Sequence, residues 1–380
     1  MPYSYSKKQV ILSQVLEIAS AFLLFPLWIF QRPQRNIRKI LLVEPFQMGD
    51  VLSLTPLIDP LLQRYPNVEL YILTKPSSGA ILELDARIKA VIKIDFPWSD
   101  YGFKKHQISR ILKSIRQIIR LRSFQFDLAV DTRGDIRSQV IMLLAGSRER
   151  VGYQNYLHSN VTNRGWLLTK KELRSKHVHR YKWNMELLRL LDIPTNSLLP
   201  LKFPSFHPKT ENLDTQLKVS TVIHIGGGWE YKRWSEAKWE ALITQLANQQ
   251  LGVVAVIAGP GERDIINRLE KNCISDVLLE KLFFKVTTLV EMVGLLQQCS
   301  LFVGLDSGPM NLAVCLNKRV IALFGPGDSD MWQPLSEGSR HIHKKENFPC
   351  NPCRQTVCYF AEKNCMAVID VNEVLKIKTH

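Results

Sequence analysis

The sequence predicts an α/β protein built from two doubly wound domains that face each other across a cleft. Its 380 residues exceed what a single hydrophobic core usually supports. Short apolar runs alternate with segments of helical periodicity, a pattern typical of parallel sheets covered on both faces. The alternation stops once, in a polar stretch at 198–219 that contains three prolines, and then restarts. Two α/β units separated by a linker follow from these observations.

The N-terminal segment of the chain, residues 1–36, combines an apolar run with basic residues. Residues 18–30 form an uncharged apolar run with basic residues on both sides. The run is shorter than the roughly 20 residues of a spanning helix, and Pro26 interrupts it. We therefore expect a shallow, in-plane membrane anchor at 1–36. A single membrane span and a helix packed on the protein's own surface remain the alternatives.

The elements of the two domains follow in chain order. In the first domain (37–203) we expect strands at Lys39–Val43, Val68–Leu73, Ala90–Ile94 and Leu128–Val130, and helices at Val51–Arg64 and Ile108–Leu121. After a linker at 204–218, the second domain (219–349) should hold strands at Thr221–Ile225, Val253–Ile257, Leu301–Val303 and Val320–Leu323. Its helices are predicted at Ser235–Gln249, Glu262–Asn272, Leu289–Cys299 and Met310–Leu316. A cysteine-rich tail occupies 350–380.

The charge of the chain is unusual. Its formal net charge is +15, and the stretch 100–190 carries +12 of it, with 19 Lys and Arg against 7 Asp and Glu. Such segregation implies an anionic partner, although a solvated basic surface is the alternative. A hydrophobic content of 46% excludes disorder as the main state. No nucleic-acid-binding motif is present, so no nucleic-acid partner is expected.

Ligands of open parallel sheets bind beyond the carboxyl ends of the strands. The first such loop contains Met48, Gly49 and Asp50. Gly49 permits a tight turn or a close ligand approach. Asp50 is either a plain helix cap or a general base that points into the cleft.

Two loops of the second domain suggest an anion site. After the strand at 221–225, Gly226, Gly227 and Gly228 offer backbone N–H groups, and Lys232 adds positive charge, as a diphosphate would require. The second loop has the sequence Gly304-Leu305-Asp306-Ser307-Gly308 before a helix. There the helix start and the Ser307 hydroxyl suit an anion, while Asp306 suits a sugar or ribose hydroxyl.

Taken together and in this order, the loops resemble glycosyltransferase family 9, the heptosyltransferases of bacterial lipopolysaccharide core assembly. The matching segments are ILLVEPFQMGDVLSLTPLI, VIHIGGGWEYKRWSEAKWEALI and LFVGLDSGPMNLAVCL followed by VIALFGPGD. The resemblance implies the GT-B fold, with two Rossmann-like domains and the donor nucleotide held mainly by the second. It also implies no cofactor and no catalytic metal.

The resemblance assigns roles to individual residues. Asp50 matches the catalytic base that deprotonates the acceptor hydroxyl for inverting attack, and Lys232 matches the lysine on the donor diphosphate. Asp306, Ser307 and Gly308 match the turn that holds sugar and phosphates, and Glu262 matches an acidic residue near the adenosine. The family usually has His where this chain has Asn311. Because Asn carries no charge, this difference leaves the donor sugar open.

The expected function is transfer of a sugar, heptose on this resemblance, from ADP-heptose to a lipopolysaccharide-core or related glycolipid. The expected place is the cytoplasmic face of the bacterial inner membrane, on its anionic surface. The alternatives are another nucleotide-sugar, a nucleotide-sugar epimerase, and a non-catalytic binder of anionic lipid.

Four of the seven cysteines fall within sixteen residues, at Cys350, Cys353, Cys358 and Cys365. Clustered thiols suit a structural zinc ion, although the spacing matches no standard zinc pattern well. Disulfides and free thiols remain the alternatives.

Overall fold

A computed structural model describes residues 14–15, 17–19, 22, 36–97, 108–157, 160–173, 178–195, 205–209, 218–249, 252–276, 278–350, 353, 358–360 and 363–378. The chain divides near residue 203 into two compact units, which we call the N-terminal unit and the C-terminal unit.

The N-terminal unit contains a mostly parallel sheet with helices. Its strands are β1 (Lys39–Val43), β2 (Glu69–Thr74), β3 (Ala90–Lys93), β4 (Leu128–Asp131), β5 (Glu149–Leu157), β6 (Asn160–Asn163) and β7 (Lys170–Leu173). Its helices are α1 (Met48–Leu52), α2 (Thr55–Arg64), α3 (Pro76–Gly79), α4 (Ile108–Arg120), α5 (Ile136–Leu144) and α6 (Arg180–Glu186).

The strand order of this sheet is β3-β2-β1-β4-β5, all parallel. The first part of β5 pairs with β7 in parallel, and its last part pairs with β6 antiparallel. The central strand β1 is buried because its apolar run Lys-Ile-Leu-Leu-Val is covered on both faces. The order reverses between β1 and β4, and a Rossmann-like sheet binds its ligand at this switch point.

The C-terminal unit also contains a parallel sheet with helices. Its strands are β8 (Val219–His224), β9 (Val253–Ala258), β10 (Leu282–Val286), β11 (Leu301–Leu305), β12 (Arg319–Phe324) and β13 (Arg340–His343). Its helices are α7 (Glu236–Gln249), α8 (Arg263–Cys273), α9 (Leu289–Gln298), α10 (Gly308–Cys315), α11 (Ser329–Trp332) and α12 (Val371–Lys378). The sheet order is β10-β9-β8-β11-β12-β13, all parallel, with the switch point between β8 and β11.

The end of the chain belongs to the core of the C-terminal unit. Met366 and Ile369 are buried in the same cluster as Trp234 and Trp239. The Trp234 indole donates a hydrogen bond to the Ile369 carbonyl at 3.2 Å. The tail predicted at 350–380 is therefore, over its described residues, an integral part of this unit.

The predicted α/β class with two doubly wound units is confirmed, and its elements differ in three ways. The single helix expected over 51–64 is two helices, because Pro56 lies in the first turn of α2 and cannot continue a helix that arrives from α1. The loop expected at Met48-Gly49-Asp50 is the start of α1. The strands β5, β6, β7, β10 and β13 and the helices α3, α5, α6, α11 and α12 were not expected.

Two further expectations concern the linker at 204–218 and the membrane anchor at 1–36. Within the expected linker 204–218, the Ser205 and Phe206 N–H groups donate to the Cys315 carbonyl of the C-terminal unit. The apolar run at 18–30 lies outside the described residues except for residues 18, 19 and 22. Among the described residues, no helix has the length and apolar character needed to cross a membrane. The domain limits and the anchor stay predictions.

Candidate active site

The first half-site lies at the switch point of the N-terminal unit. Neighbouring strands β1 and β4 are parallel, so the segments that follow them, Glu44 onward and Thr132-Arg133, emerge at the same edge of the sheet. Helix α1 begins at Met48 beyond that edge and presents Asp50 as its third residue. Charged side chains that are distant in sequence are thereby brought together.

Asp50 lies in a polar, largely covered environment. Its Oδ1 accepts a hydrogen bond from Arg133 Nη1 at 3.1 Å, and its Oδ2 accepts one from the Gln47 N–H at 3.2 Å. Asp50 therefore does cap the start of α1, from inside the helix, with Gln47 as the N-cap residue. The side chain remains 14% exposed, which leaves it reachable by a ligand.

The predicted loop residues beside Asp50 are partly exposed. Gly49 was expected to permit a tight turn, and that expectation is wrong, because Gly49 lies within helix α1. Met48 is the first residue of the same helix. Close approach of a ligand to either residue stays a prediction.

A buried ion pair lies beneath Asp50. The Glu44 side chain is fully buried, and its Oε2 accepts hydrogen bonds from an Arg180 guanidinium nitrogen and from Thr132 Oγ1. Arg180 Nη1 also donates to the Thr132 carbonyl at 2.8 Å. Burial raises the pKa of the Glu44 carboxyl, and the Arg180 charge opposes that rise. Arg180 Nε lies 3.9 Å from Asp50 Oδ1, so the pair also borders the candidate base.

Arg133 is fixed from three sides. Its guanidinium lies over the Phe46 ring, 3.6 Å from the centroid. Its backbone N–H donates to Asp131 Oδ1 at 3.0 Å, while the Gly134 N–H donates to Asp131 Oδ2 at 3.1 Å. Burial raises the pKa of the Asp131 carboxyl to about 7. The loop after β4 is thus held by the last residue of that strand.

Sequence reasoning missed Glu44, Arg133 and Arg180. Glu44 is the first residue after β1 and Arg133 the second after β4, both buried strands at the switch point, and that position is a usable signal. Arg180 lies 136 residues from its partner Glu44, and no local pattern marks it.

The second half-site lies at the switch point of the C-terminal unit, where Lys232 and Asp306 form an ion pair. Lys232 Nζ is 2.5 Å from Asp306 Oδ2, and the two side chains are 15% and 10% exposed. Lys232 ends a short 3₁₀ turn after β8, and Asp306 directly follows β11. Two predicted residues that stand 74 positions apart are therefore in contact. A partly buried ammonium at this place suits a bound phosphate.

The glycines of this half-site differ in how much space surrounds them. A Cβ at Gly227 would lie 3.1 Å from the Leu305 side chain, whereas one at Gly228 would meet nothing within 4 Å. At Gly327, in the loop after β12, a Cβ would clash with Asp306 Oδ2. A residue with a side chain therefore cannot occupy position 327 without moving Asp306.

The loop after β11 turns directly into helix α10. Ser307 is the N-cap residue, but its hydroxyl donates back to the Leu305 carbonyl at 3.1 Å instead of capping the helix. Gly308 is the first helical residue. Asn311 is buried, and its Nδ2 donates to the Ser307 carbonyl at 3.0 Å. The Asn311 amide thus stabilises the turn that precedes the helix.

Glu262 joins the same group of loops from β9. It ends the 3₁₀ turn Pro260–Glu262, and its carboxyl group lies against Gly226 and Gly259. The adjacent His224 is buried, and this burial lowers the pKa of its imidazole to about 4. His224 is therefore neutral near pH 7 and adds no charge to the half-site.

The comparisons with known proteins agree with this geometry. Residues 114–364 match the family described as glycosyltransferase family 9 (heptosyltransferase). Lipopolysaccharide heptosyltransferase 3 of Escherichia coli is 26% identical over 305 residues, which cover 76% of this chain and 84% of that protein.

Two solved structures show the same fold. E. coli ADP-heptose lps heptosyltransferase II aligns with a TM-score of 0.66 and 19% identity, over 90% of this chain and 97% of that one. E. coli heptosyltransferase WaaC with ADP-2-deoxy-2-fluoro heptose aligns with a TM-score of 0.67 and 17% identity, over 90% of this chain and 99% of that one. The two Rossmann-like units are those of the GT-B fold. Because the family match spans most of the chain, this protein belongs to glycosyltransferase family 9 and is a glycosyltransferase.

Proposed function

We propose that this glycosyltransferase moves heptose from ADP-heptose to a glycolipid acceptor of the lipopolysaccharide core, with inversion at the anomeric carbon. The contact between Lys232 and Asp306 at the C-terminal switch point carries the proposal, because it joins a cation for the diphosphate to an acceptor for sugar hydroxyls. The similarity to lipopolysaccharide heptosyltransferases supports heptose and this acceptor class.

In the proposed reaction Asp50 acts as the general base. Its carboxylate takes the proton of the acceptor hydroxyl, the acceptor oxygen forms a bond to the anomeric carbon, and the bond from that carbon to the diphosphate breaks. ADP leaves with the bonding electrons. Arg133 and Arg180 border Asp50, and the hydrogen bond from Arg133 Nη1 to Asp50 Oδ1 orients the carboxylate.

The donor would be held by the loops after β8, β9 and β11. Lys232 neutralises the diphosphate as negative charge develops on the leaving group. Ser307 and Gly308 offer backbone N–H groups at the start of α10, and Gly227 with Gly228 supplies further N–H groups. Glu262 is the partner proposed for the adenosine. Asn311 donates a hydrogen bond to the Ser307 carbonyl of the turn and carries no charge, so a different sugar on the same nucleotide is the second candidate donor.

The donor site is tested by calorimetry and by a transfer assay with ADP-heptose and a core acceptor. Lys232→Ala should lose donor affinity at least tenfold, while Lys271→Ala, an exposed lysine on α8, should bind as the wild type does. Equal affinities in both variants would contradict the diphosphate role. Conversion of ADP-heptose to an epimer in the absence of acceptor would favour the epimerase instead.

We further propose that the N-terminal unit contacts the anionic surface of the inner membrane on its cytoplasmic face, through helix α4. Three apolar side chains of α4 are exposed, namely Ile108 (67%), Leu112 (49%) and Ile119 (44%). At 100° per residue the three lie within one stripe about 40° wide, and the buried Ile118 and Ser114 lie about 100° and 140° around the axis from its middle.

Basic residues border this apolar stripe along one side. Three exposed basic residues lie beside the stripe at spacings of three and four residues, namely Lys113, Arg116 and Arg120. An apolar stripe bordered by cations is the pattern of a helix that lies in a membrane interface. Each basic residue near an anionic surface contributes about 1 kcal/mol to binding. Charge complementarity thus favours anionic lipid over a neutral apolar partner.

Vesicle sedimentation tests this surface. The wild type should bind vesicles that contain anionic phosphatidylglycerol and not pure phosphatidylcholine vesicles. The double variant Ile108→Ser/Leu112→Ser should bind several-fold more weakly. Leu279→Ser, which removes an exposed leucine of the C-terminal unit, serves as the matched control. Equal binding of all three proteins would overturn the role of α4 and leave the donor assignments untouched.

A further inference from the structure

Four cysteines that the proposed reaction does not use come together in the C-terminal unit. Cys350, Cys353, Cys358 and Cys365 line one small pocket, and none of these four described residues forms a disulfide. The other three cysteines of the chain, at positions 273, 299 and 315, lie apart from them in the hydrophobic core. The cluster is therefore a local feature and not a consequence of a cysteine-rich chain.

The four thiols interact with one another. Burial raises the pKa of Cys365 to about 11, and the neighbouring Cys353, Cys350 and Cys358 raise it further. Burial likewise raises the pKa of Cys350, with Cys353 as the next cause. The four thiols are therefore near one another in the folded unit, around the pocket that they line.

The remaining wall of the pocket is largely aromatic. Phe348, Tyr359 and Phe360 line it, and the Phe348 and Phe360 rings meet edge to face with their centroids 5.2 Å apart. Four sulfur ligands within an apolar wall suit a soft metal ion such as Zn²⁺ or Fe²⁺. Mg²⁺ and Ca²⁺ prefer oxygen ligands and do not fit this set.

The pocket also adjoins the donor half-site. Its wall includes Tyr231, which precedes Lys232, and Pro326, which precedes Gly327 beside Asp306. A Cβ on Gly325 would lie 2.5 Å from Met366 and 3.2 Å from the Tyr231 carbonyl, so these segments are closely packed. Whatever fixes the four cysteines therefore also restrains the two loops that carry the Lys232–Asp306 pair.

We propose that Cys350, Cys353, Cys358 and Cys365 bind one Zn²⁺ or Fe²⁺ ion as a tetrathiolate site that stabilises the donor-binding loops. Within the described residues, no three His, Cys, Asp or Glu side chains already stand in metal-ligand geometry. Binding thus draws the thiols inward, as expected where metal binding and local folding are coupled. Four thiols release four protons to solvent, and no electrons are transferred.

Metal analysis of the full-length protein, purified with a reductant and without chelators, tests this site. Mass spectrometry should find about one zinc or iron ion per chain, and the element found distinguishes the two ions. Cys353→Ser and Cys365→Ser should each lose at least tenfold of the bound metal. Cys273→Ala, which removes a thiol of the core, should keep it.

Two further measurements on the wild type avoid any dependence on the folding of variants. Cobalt loaded in place of the native ion should give the intense near-ultraviolet absorption of thiolate-to-cobalt charge transfer. Removal of the ion with a chelator should release four reactive thiols, lower the melting temperature and weaken ADP binding. A metal-free protein with four freely reactive thiols, or with disulfides among these cysteines, would overturn the proposal.

Discussion

The buried pair of Glu44 and Arg180 supports Asp50, and its removal should destabilise the N-terminal unit strongly. The Arg180 side chain is 3% exposed and that of Glu44 is fully buried. In Arg180→Met the Glu44 carboxylate loses its compensating charge, which costs about 3 to 5 kcal/mol when one partner of a buried pair is removed. For a unit of this size, that loss lowers the melting temperature by about 6 to 20 °C.

The sign of the pH dependence follows from Glu44. Burial raises the pKa of the Glu44 carboxyl in the folded protein, so folding favours its neutral form. The stabilising contribution of neutral Glu44 is complete below the pKa that Glu44 has in the unfolded chain. It is lost as pH rises through the higher pKa of the folded protein. Without Arg180 the folded pKa rises further. Arg180→Met should therefore lose more stability at pH 8 than at pH 5.

Differential scanning calorimetry at both pH values measures this difference. The double variant Glu44→Gln/Arg180→Met, which removes both charges of the pair, should recover much of the melting temperature. The same loss at pH 5 and pH 8, together with no recovery in the double variant, would refute the reasoning.

Two further predictions concern the C-terminal unit. Gly327→Ala would bring a Cβ into a clash with Asp306 Oδ2 and displace this carboxylate from Lys232, so calorimetry should show about tenfold weaker ADP-heptose binding. Gly261→Ala, where a Cβ meets nothing within 4 Å, should bind normally, and equal binding by both would contradict this account. Burial lowers the pKa of His224 to about 4, so its stabilising contribution is present above pH 6.5 and lost as pH falls towards 4. Urea unfolding should show the wild type losing about 3 kcal/mol over this range. His224→Gln should lose less, and an identical loss would exclude His224 as the cause.

The central strands of both sheets were predictable because a buried parallel strand is a continuous apolar run. Strand β8 was expected at Thr221–Ile225 and lies at Val219–His224. The edge strand β7, with the sequence Lys-Lys-Glu-Leu, is largely exposed and has no such run. Strand β10 is only half-buried. Edge strands therefore escape a prediction that depends on hydrophobic periodicity.

For the site, residue types were predictable and their partners were not. Lys232 and Asp306 were each expected at the carboxyl end of a strand, and the sheet topology explains that success. The two residues are 74 positions apart, and their ion pair depends on how the folded side chains are placed, which no local sequence pattern indicates. Arg180 reaches Glu44 from a helix far along the chain and was missed for the same reason.

The rate of heptose transfer by Asp50→Asn tests the central claim most directly. Asn keeps the size of the side chain and its hydrogen bond to the Gln47 N–H, but it cannot accept the acceptor's proton. We expect the transfer rate to fall by about 10² to 10⁴-fold with the affinity for ADP-heptose unchanged. The exposed Asp264→Asn on α8 should transfer at the wild-type rate. A folded Asp50→Asn variant that transfers as fast as the wild type would contradict the assignment of Asp50 as the base.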